Sequence, residues 1–126
     1  MTTTIPKDME IDPFYRYRRE LLVVETCKGF TLLKNIDSIS LSLDRNSNGI
    51  IKYLSTQLGT SNKKNSLKGI FSGNELELLI EKYINNFVIC KQSTCGNPET
   101  YLNNRKMICK ACGYSENIDK QFIKYF

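Results

Sequence analysis

The sequence predicts an α+β protein in which a small mixed α/β domain packs against a C-terminal four-cysteine ribbon. Strand-like and helix-like apolar patterns follow one another over residues 20–86. Beyond them, four cysteines fall in two close pairs, each preceded by an apolar run and followed by glycine. At 126 residues, the chain has room for one domain or two small ones.

A flexible tail is expected before these elements. Residues 1–13 are polar, contain Pro6 and Pro13 and show no apolar period, so they bury too little surface to offset the entropy of ordering. Residues 14–19 then interleave aromatic side chains with arginines. We therefore predict three regions: a tail at 1–19, the α/β domain at 20–86 and the ribbon at 87–126.

The α/β domain should begin with a hairpin. The segment Glu20–Thr26 is typical of a strand, Lys28-Gly29 turns the chain, and Phe30–Lys34 forms the second strand. A short helix is then expected over residues 36–43, with Asn35 and Asp37 as its capping residues.

Two further helices follow. Residues 50–58 carry apolar side chains on one face and stop at Gly59, a suitable residue for a helix end. A polar loop at 60–66 and a brief strand at 67–71 separate this helix from the last one. Ser72 and Glu75 have the spacing of a capping box, and apolar positions then recur at helical spacing as far as Phe87.

The cysteines have the spacing of a metal site. Four residues separate Cys90 from Cys95, and two separate Cys109 from Cys112. Tetrahedral Zn²⁺ takes four such sulfurs, two from each loop. The alternative is two disulfide bonds or four buried thiols, but no feature of the chain indicates an oxidising compartment. We predict one structural Zn²⁺ in a zinc ribbon.

The ribbon should contain a hairpin over residues 98–103 and 105–108, with a third strand at 114–118. Its zinc would not be catalytic, because cysteine fills all four coordination positions and leaves none for water. The chain has no histidine, which removes the commonest general base. Cys27, the fifth cysteine, has no sequence partner and is interpreted as a thiol at a strand end.

Charge and hydropathy limit the cellular environments that are expected for this protein. The formal net charge is +5, and four thiolates with one Zn²⁺ would lower it to about +3, which is compatible with an RNA-rich environment. No apolar stretch approaches the length of a membrane span, and the N-terminus lacks a signal-peptide core. The sequence predicts a soluble cytoplasmic protein, a monomer, with no membrane partner.

In this order, the motifs resemble a known family. They are Asp12-Pro-Phe-Tyr-Arg-Tyr17, Leu58-Gly-Thr-Ser61, Phe87-Val-Ile-Cys90, Cys95-Gly-Asn-Pro-Glu-Thr100 and Cys109-Lys-Ala-Cys-Gly-Tyr114. Together they are similar to the N-terminal region of eukaryotic translation initiation factor 5 and, more distantly, to the core of the beta subunit of translation initiation factor 2. The resemblance covers roughly residues 11–120.

The resemblance implies a GTPase-activating protein. Its partner would be the gamma subunit of initiation factor 2, carrying GTP and initiator tRNA on the small ribosomal subunit. Factor 5 uses an arginine of the Phe-Tyr-Arg-Tyr tail, which is Arg16 here, and Phe14, Tyr15 and Tyr17 could anchor that tail to the partner. A planar guanidinium delivered in trans suits the charge of a phosphoryl transition state.

Two lysines of the family pattern also have counterparts to consider. Lys52, in Ile50-Ile-Lys-Tyr-Leu54, matches a second functional lysine of factor 5. A further lysine of the family's first hairpin falls at Phe30, because this hairpin is shorter, and Lys28 is the candidate to replace it.

Two other functions remain open from the residues. One is a non-catalytic component or mimic resembling the beta subunit, which would support initiator tRNA binding without promoting hydrolysis. Leu58-Gly-Thr-Ser61 and Lys68-Gly-Ile-Phe71 favour this alternative. The other is a general RNA-binding zinc ribbon, in which the basic tail contacts phosphates and its aromatic rings stack on bases.

Overall fold

The computed structural model describes residues 2–5, 17–92 and 95–126. Within these ranges it contains strands and helices in a mixed order. They are β1 (Thr2–Thr4), β2 (Arg18–Glu20), β3 (Val24–Cys27), β4 (Phe30–Leu33), α1 (Ile36–Leu43), α2 (Ser47–Leu58), β5 (Asn62–Lys63), β6 (Ser66–Lys68), α3 (Gly73–Phe87), β7 (Thr100–Asn103), β8 (Lys106–Cys109), β9 (Ser115–Asn117) and α4 (Lys120–Ile123). The α+β class is confirmed, with the four cysteines gathered in the C-terminal part.

The strands form three antiparallel sheets. The first pairs β1 with β2, the second has the order β3-β4-β6-β5, and the third has the order β7-β8-β9. The second sheet belongs to the α/β domain, and the third is the ribbon. Neighbouring strands of the ribbon are consecutive in the chain, so short turns connect them.

The prediction of an unstructured tail is wrong for the described residues near the N-terminus. Thr2–Thr4 pairs with Arg18–Glu20, with Thr3 opposite Arg19. Ile5 follows β1, donates its N–H to the carbonyl of Tyr17 at 2.9 Å and is buried in the core. Backbone pairing with a partner well along the chain therefore orders a segment that has little apolar surface. Residues 6–16, which include Phe14, Tyr15 and Arg16, lie outside the described part.

The predicted hairpin is present with a shorter first strand. Val24–Cys27 pairs with Phe30–Leu33, and the turn between them places Lys28 at φ 49° and Gly29 at φ 82°. The helix α1 has the predicted bounds, but the side chain of Asn35 does not cap it. Instead its Oδ1 accepts from the Val23 N–H at 2.8 Å, which ties the chain before β3 to the start of α1.

The other helices follow the predicted patterns with adjusted ends. The helix α2 begins at Ser47, because Asn46 Oδ1 accepts the N–H of Asn48 at 2.9 Å, and it ends at Gly59 with φ 65°. Ser72 caps α3 by accepting the Glu75 N–H at 3.1 Å, as predicted.

Short strands account for the remaining differences. The predicted polar loop at 60–66 contains β5, and the strand predicted at 67–71 is Ser66–Lys68. The sequence patterns do not predict α4. No helix in the described ranges has the length and apolar character needed to cross a membrane.

The core lies among the helices and the second sheet. Its fully buried aliphatic side chains come from β4, α1, α2, β6 and α3, and each contributes about 1.5–3 kcal/mol through removal from water. The largest of them are Leu33, Ile36, Ile39, Leu43, Ile50, Leu54, Leu67, Leu76, Ile80 and Ile84. Tyr125 joins this core from the C-terminal segment, so the chain beyond the ribbon returns to the α/β domain.

Candidate functional site

Two tight loops carry the cysteines. In the first, which follows α3, Cys90 donates its N–H to the carbonyl of Asn97 at 3.0 Å. In the second, at the end of β8, Cys109 donates to the carbonyl of Tyr114 at 2.9 Å and accepts from Gly113 at 2.9 Å. Gly113 lies at φ 77°, a conformation that glycine adopts without strain. These turns bring both pairs of thiols together in one cluster.

The four sulfurs are close enough together to share one metal ion. The Sγ atoms of Cys90, Cys95, Cys109 and Cys112 all lie within 4.8 Å of one another. The separation is 3.6 Å between Cys90 and Cys112 and 3.7 Å between Cys95 and Cys109. A tetrahedron with metal–sulfur bonds of about 2.3 Å has edges of about 3.8 Å, whereas a disulfide bond is about 2.05 Å long. The cluster could therefore hold a metal ion.

Backbone N–H groups support thiolates in this cluster. Each comes from the residue two positions after a cysteine: Gln92 at Cys90, Asn97 at Cys95 and Tyr114 at Cys112. The N–H of Tyr114 lowers the pKa of Cys112. Burial raises the pKa of Cys90 to about 12, so a cation is needed to hold this buried sulfur as a thiolate. The backbone N–H groups and the four sulfurs together thus form a site suited to a bound cation.

Of the other predicted site residues, the structure describes Tyr17, Lys28 and Lys52, and none of these three belongs to the cysteine cluster. Lys28 is exposed in the turn between β3 and β4, and Lys52 is exposed on α2. Tyr17 is half-buried and packs against the core. Phe30 is half-buried, and Lys63 on β5 places its Nζ 4.9 Å from the centre of the Phe30 ring. A lysine from another strand of the same sheet therefore lies beside Phe30, the position at which the resemblance predicts a lysine of the first hairpin.

Arg19, which the sequence pattern assigns to the flexible tail, belongs to the folded core. Its side chain is fully buried, with Nη2 2.8 Å from Glu77 Oε1 and 2.8 Å from Glu81 Oε2 on α3. Glu77 also accepts the Leu22 N–H at 2.7 Å. Burial by itself lowers the pKa of Arg19, but the hydrogen bonds to the two glutamates outweigh it and the pKa is raised. This buried ion pair fixes β2 against α3.

A cleft of about 650 Å³ lies between the α/β domain and the ribbon. Its lining includes the rings of Tyr53 and Phe122, the cation Lys82 and the carboxylate of Glu116. Because both modules contribute to the lining, the shape of the cleft depends on how the ribbon is held.

The fold and site define the class of this protein: a small antiparallel α/β domain joined to a four-cysteine ribbon that could hold a metal ion. A family model for the domain found in initiation factors 2B and 5 matches residues 6–115. The chain belongs to this family of translation initiation factor domains, which confirms the resemblance that the motifs predict.

Relatives of two kinds match the chain. Eukaryotic translation initiation factor 5 of Caenorhabditis elegans is 36% identical over 122 residues, covering 86% of this chain and 28% of its own length. The factor 5 of Dictyostelium discoideum is 34% identical, covering 91% of this chain and 32% of its own length. Translation initiation factor 2 subunit beta of Methanocorpusculum labreanum is 32% identical over 102 residues, covering 75% and 49%. The chain thus spans half or less of the length of these relatives.

Proposed function

We propose that this protein stimulates GTP hydrolysis by the gamma subunit of initiation factor 2 during start-codon selection. The observation that carries the proposal is the similarity to factor 5 over 86% and 91% of the chain, together with the Phe14-Tyr-Arg-Tyr17 segment inside the matched range. The protein would act in the cytoplasm as an activator of a partner GTPase and would not be an enzyme by itself.

Arg16 is the residue to which we assign the activating role. The transferred phosphoryl group spreads negative charge over its oxygens in the transition state, and a guanidinium delivered in trans neutralises it. The planar, two-pronged donor geometry of arginine matches those oxygens. Phe14, Tyr15 and Tyr17 would contact the partner on either side of Arg16, and Lys52 and Lys28 would add positive charge.

The buried Arg19 supports this assignment. It holds the chain to α3 only three positions after Arg16, with hydrogen bonds of 2.8 to 3.1 Å to the carboxylates of Glu77 and Glu81. A rigid attachment point reduces the entropy that must be lost when a short segment enters a partner's pocket. The segment that carries Arg16 therefore starts from a fixed place on the α/β domain.

We infer that the metal is zinc. Four thiolates in a tetrahedral arrangement suit Zn²⁺, whose sites of this type are structural because no position is open to water. When bound, the ion would hold Cys90, Cys95, Cys109 and Cys112 together and keep the ribbon folded.

A beta-subunit-like function is the second candidate. The 32% identity to an archaeal initiation factor 2 beta subunit, covering 75% of the chain, favours it. In that function the protein would bind the gamma subunit and support initiator tRNA binding without accelerating hydrolysis. The two candidate functions differ in a GTP hydrolysis assay: a factor 5-like protein should stimulate hydrolysis, whereas a beta-subunit-like protein should not.

The test is single-turnover GTP hydrolysis in initiation complexes reconstituted from initiation factor 2, GTP, initiator tRNA and small ribosomal subunits. Arg16→Ala should lower the stimulated rate by about 10³–10⁵, because in-trans arginines contribute that much in GTPase systems. Arg16→Lys should also fail substantially, since an ammonium group lacks the planar donor pair. Arg18→Ala is the matched control, because Arg18 is exposed and contacts Thr2 Oγ1 at 3.4 Å.

The remaining variants distinguish the outcomes. Lys52→Ala and Lys28→Ala should have smaller effects, chiefly through salt-sensitive association. If the wild-type protein binds the complexes but gives no stimulation, the beta-subunit-like function is correct. If Arg16→Ala stimulates as well as the wild type does, the assignment of Arg16 is wrong.

A further inference from the structure

Asn97 is bonded to both cysteines of the first metal-ligand loop and to the N-terminal part of the chain. Its carbonyl accepts the Cys90 N–H at 3.0 Å, and its own N–H points at the sulfur of Cys95. Its side-chain Oδ1 accepts the Glu99 N–H at 2.7 Å, which leaves Nδ2 as the donor to the Tyr17 hydroxyl at 3.3 Å. One residue therefore touches two metal ligands with its backbone and Tyr17 with its side chain.

Tyr17 is held from a second direction. Its carbonyl accepts the Ile5 N–H at 2.9 Å, and its ring packs against the core. The next residue, Arg18, begins β2, and Arg16 precedes Tyr17 in the chain. The position of Tyr17 thus sets the point from which the chain leaves toward Arg16.

We propose that Asn97 is a positioning residue that couples metal binding in the ribbon to the placement of Tyr17. A bound ion fixes Cys90 and Cys95, and these two residues fix the backbone of Asn97. The Asn97 Nδ2 is then held in position to donate a hydrogen bond to the Tyr17 hydroxyl. Without the ion, the four sulfurs no longer share a common partner, and the loop that presents Nδ2 loses its constraint.

The consequence for activity rests on the proposed function. If Arg16 stimulates hydrolysis, loosening Tyr17 should lower the maximal stimulated rate. Because Tyr17 is also one of the residues assigned to contact the partner, the concentration of protein that gives half-maximal stimulation should rise as well.

A double-mutant cycle on the metal-loaded protein tests the link. Tyr17→Phe removes the hydroxyl and keeps the ring, whereas Asn97→Ser removes the amide donor and keeps a short hydroxyl as the acceptor for the Glu99 N–H. Each should speed hydrogen exchange at the Ile5 amide by about threefold to tenfold, the effect of one neutral hydrogen bond. The double variant should exchange no faster than either single variant, because both changes break the same bond.

A control variant and a chelation experiment accompany the double-mutant cycle. Tyr101→Phe makes the same chemical change on ribbon strand β7 and should leave Ile5 exchange unaltered. Metal content should stay at the wild-type level in every variant. In the wild type, chelation should raise Ile5 exchange relative to the α3 amide of Ile80, whereas in Tyr17→Phe chelation should add less than about twofold.

Two results would overturn the proposal: additive effects of Tyr17→Phe and Asn97→Ser, or an equal effect of chelation in Tyr17→Phe and wild type. If neither substitution changes Ile5 exchange, the coupling is also wrong. Failure of the proposed function looks different, because the wild type then gives no stimulated hydrolysis while the exchange results still decide whether Asn97 positions Tyr17.

Discussion

Arg45 shows how a single buried cation joins the two modules. Its guanidinium donates to the carbonyl of Thr100 at 2.8 Å and to Thr100 Oγ1 at 2.7 Å, and it donates to the carbonyl of Phe87 at 2.7 Å. The ring of Phe126 lies 5.2 Å from the guanidinium carbon. Burial lowers the pKa of Arg45, and these oxygens at the end of α3 and the start of β7 offset part of the lost hydration.

Replacement of this guanidinium should be costly. Arg45→Met keeps an unbranched side chain but leaves the carbonyls of Phe87 and Thr100 without their donor. We expect a loss of about 2–4 kcal/mol in the free energy of unfolding, measured by urea denaturation. Lys106→Met on the exposed side of β8 is the control and should stay within about 0.5 kcal/mol. Equal effects of the two substitutions would contradict the assigned role of Arg45.

The neighbouring residues Arg18 and Arg19 show that the burial of a single side chain cannot always be predicted from the local sequence. Both follow the same aromatic tail, yet Arg18 is exposed and the Arg19 side chain is fully buried. The difference comes from Glu77, which lies 58 positions along the chain. No local pattern contains that information, because a polar residue on an otherwise apolar helix face has many possible partners.

At the scale of elements, the packing of α2 against the C-terminal segment depends on a glycine. A Cβ at Gly49 would lie 2.5 Å from the carbonyl oxygen of Tyr125. Tyr83 on α3 donates its hydroxyl to that same oxygen, so two helices hold the backbone of one residue. Burial raises the pKa of the Tyr83 hydroxyl, so it remains a donor at neutral pH. The close approach requires the absence of a side chain at position 49.

Gly49→Ala should therefore reverse the usual effect of this substitution. Alanine stabilises an exposed helix by about 1 kcal/mol relative to glycine. Here the contact with Tyr125 should instead cost about 1–3 kcal/mol and displace the C-terminal segment. The measurements are thermal unfolding and hydrogen exchange at the Tyr125 amide, which is bonded to the Phe122 carbonyl at 3.0 Å. Asn48→Ala, at the neighbouring position of the same turn, should have little effect; a similar loss there would contradict the argument.

Elements with strong local patterns are predictable, and those built by distant pairing are not. The helices α1 and α3 and the β3–β4 hairpin follow from apolar periodicity, caps and a Lys-Gly turn. By contrast, β1 is a run of three threonines with no apolar alternation, and β5 has only two residues. These strands exist because β2 and β6 present unpaired backbone groups, which the local sequence does not reveal. The cysteine cluster is predictable, because loop spacing alone restricts its geometry.

At the scale of the whole molecule, the ribbon and the α/β domain share one aromatic cluster. Tyr53 on α2 makes edge contacts with Phe87 and Tyr125, at centroid distances of 5.6 and 5.5 Å. Phe122 and Phe126 of the C-terminal segment contact Phe87 at 5.6 and 5.5 Å. Edge-to-face pairs of this kind add about 0.5–1.5 kcal/mol each beyond burial. The segment that follows the ribbon therefore stabilises the end of α3.

Removal of the metal should consequently affect both modules. Elemental analysis of protein purified without added metal should give one zinc ion per chain. Chelation should unfold the ribbon, because its few buried side chains, such as Met107, cannot hold three short strands together alone. The α/β domain should remain folded but melt at a lower temperature, since Arg45 and the aromatic cluster lose their ribbon partners. Acidification should act in the same direction, because protons compete with the metal for the thiolates.

After chelation, the ribbon should lose its protection from hydrogen exchange before the α/β domain does. In hydrogen exchange after chelation, the amide of Cys109, bonded to the Tyr114 carbonyl at 2.9 Å, should lose protection first. The amide of Ile80 in the middle of α3 should keep most of its protection, with a loss limited to the weakened global stability. The loss of stability caused by Arg45→Met should be smaller after chelation than with the metal bound, because the contacts with Thr100 are already gone and only the bond to the Phe87 carbonyl remains to be lost. Full ribbon protection in a metal-free sample would refute the structural role of the metal, as would disulfide bonds among these cysteines under reducing conditions.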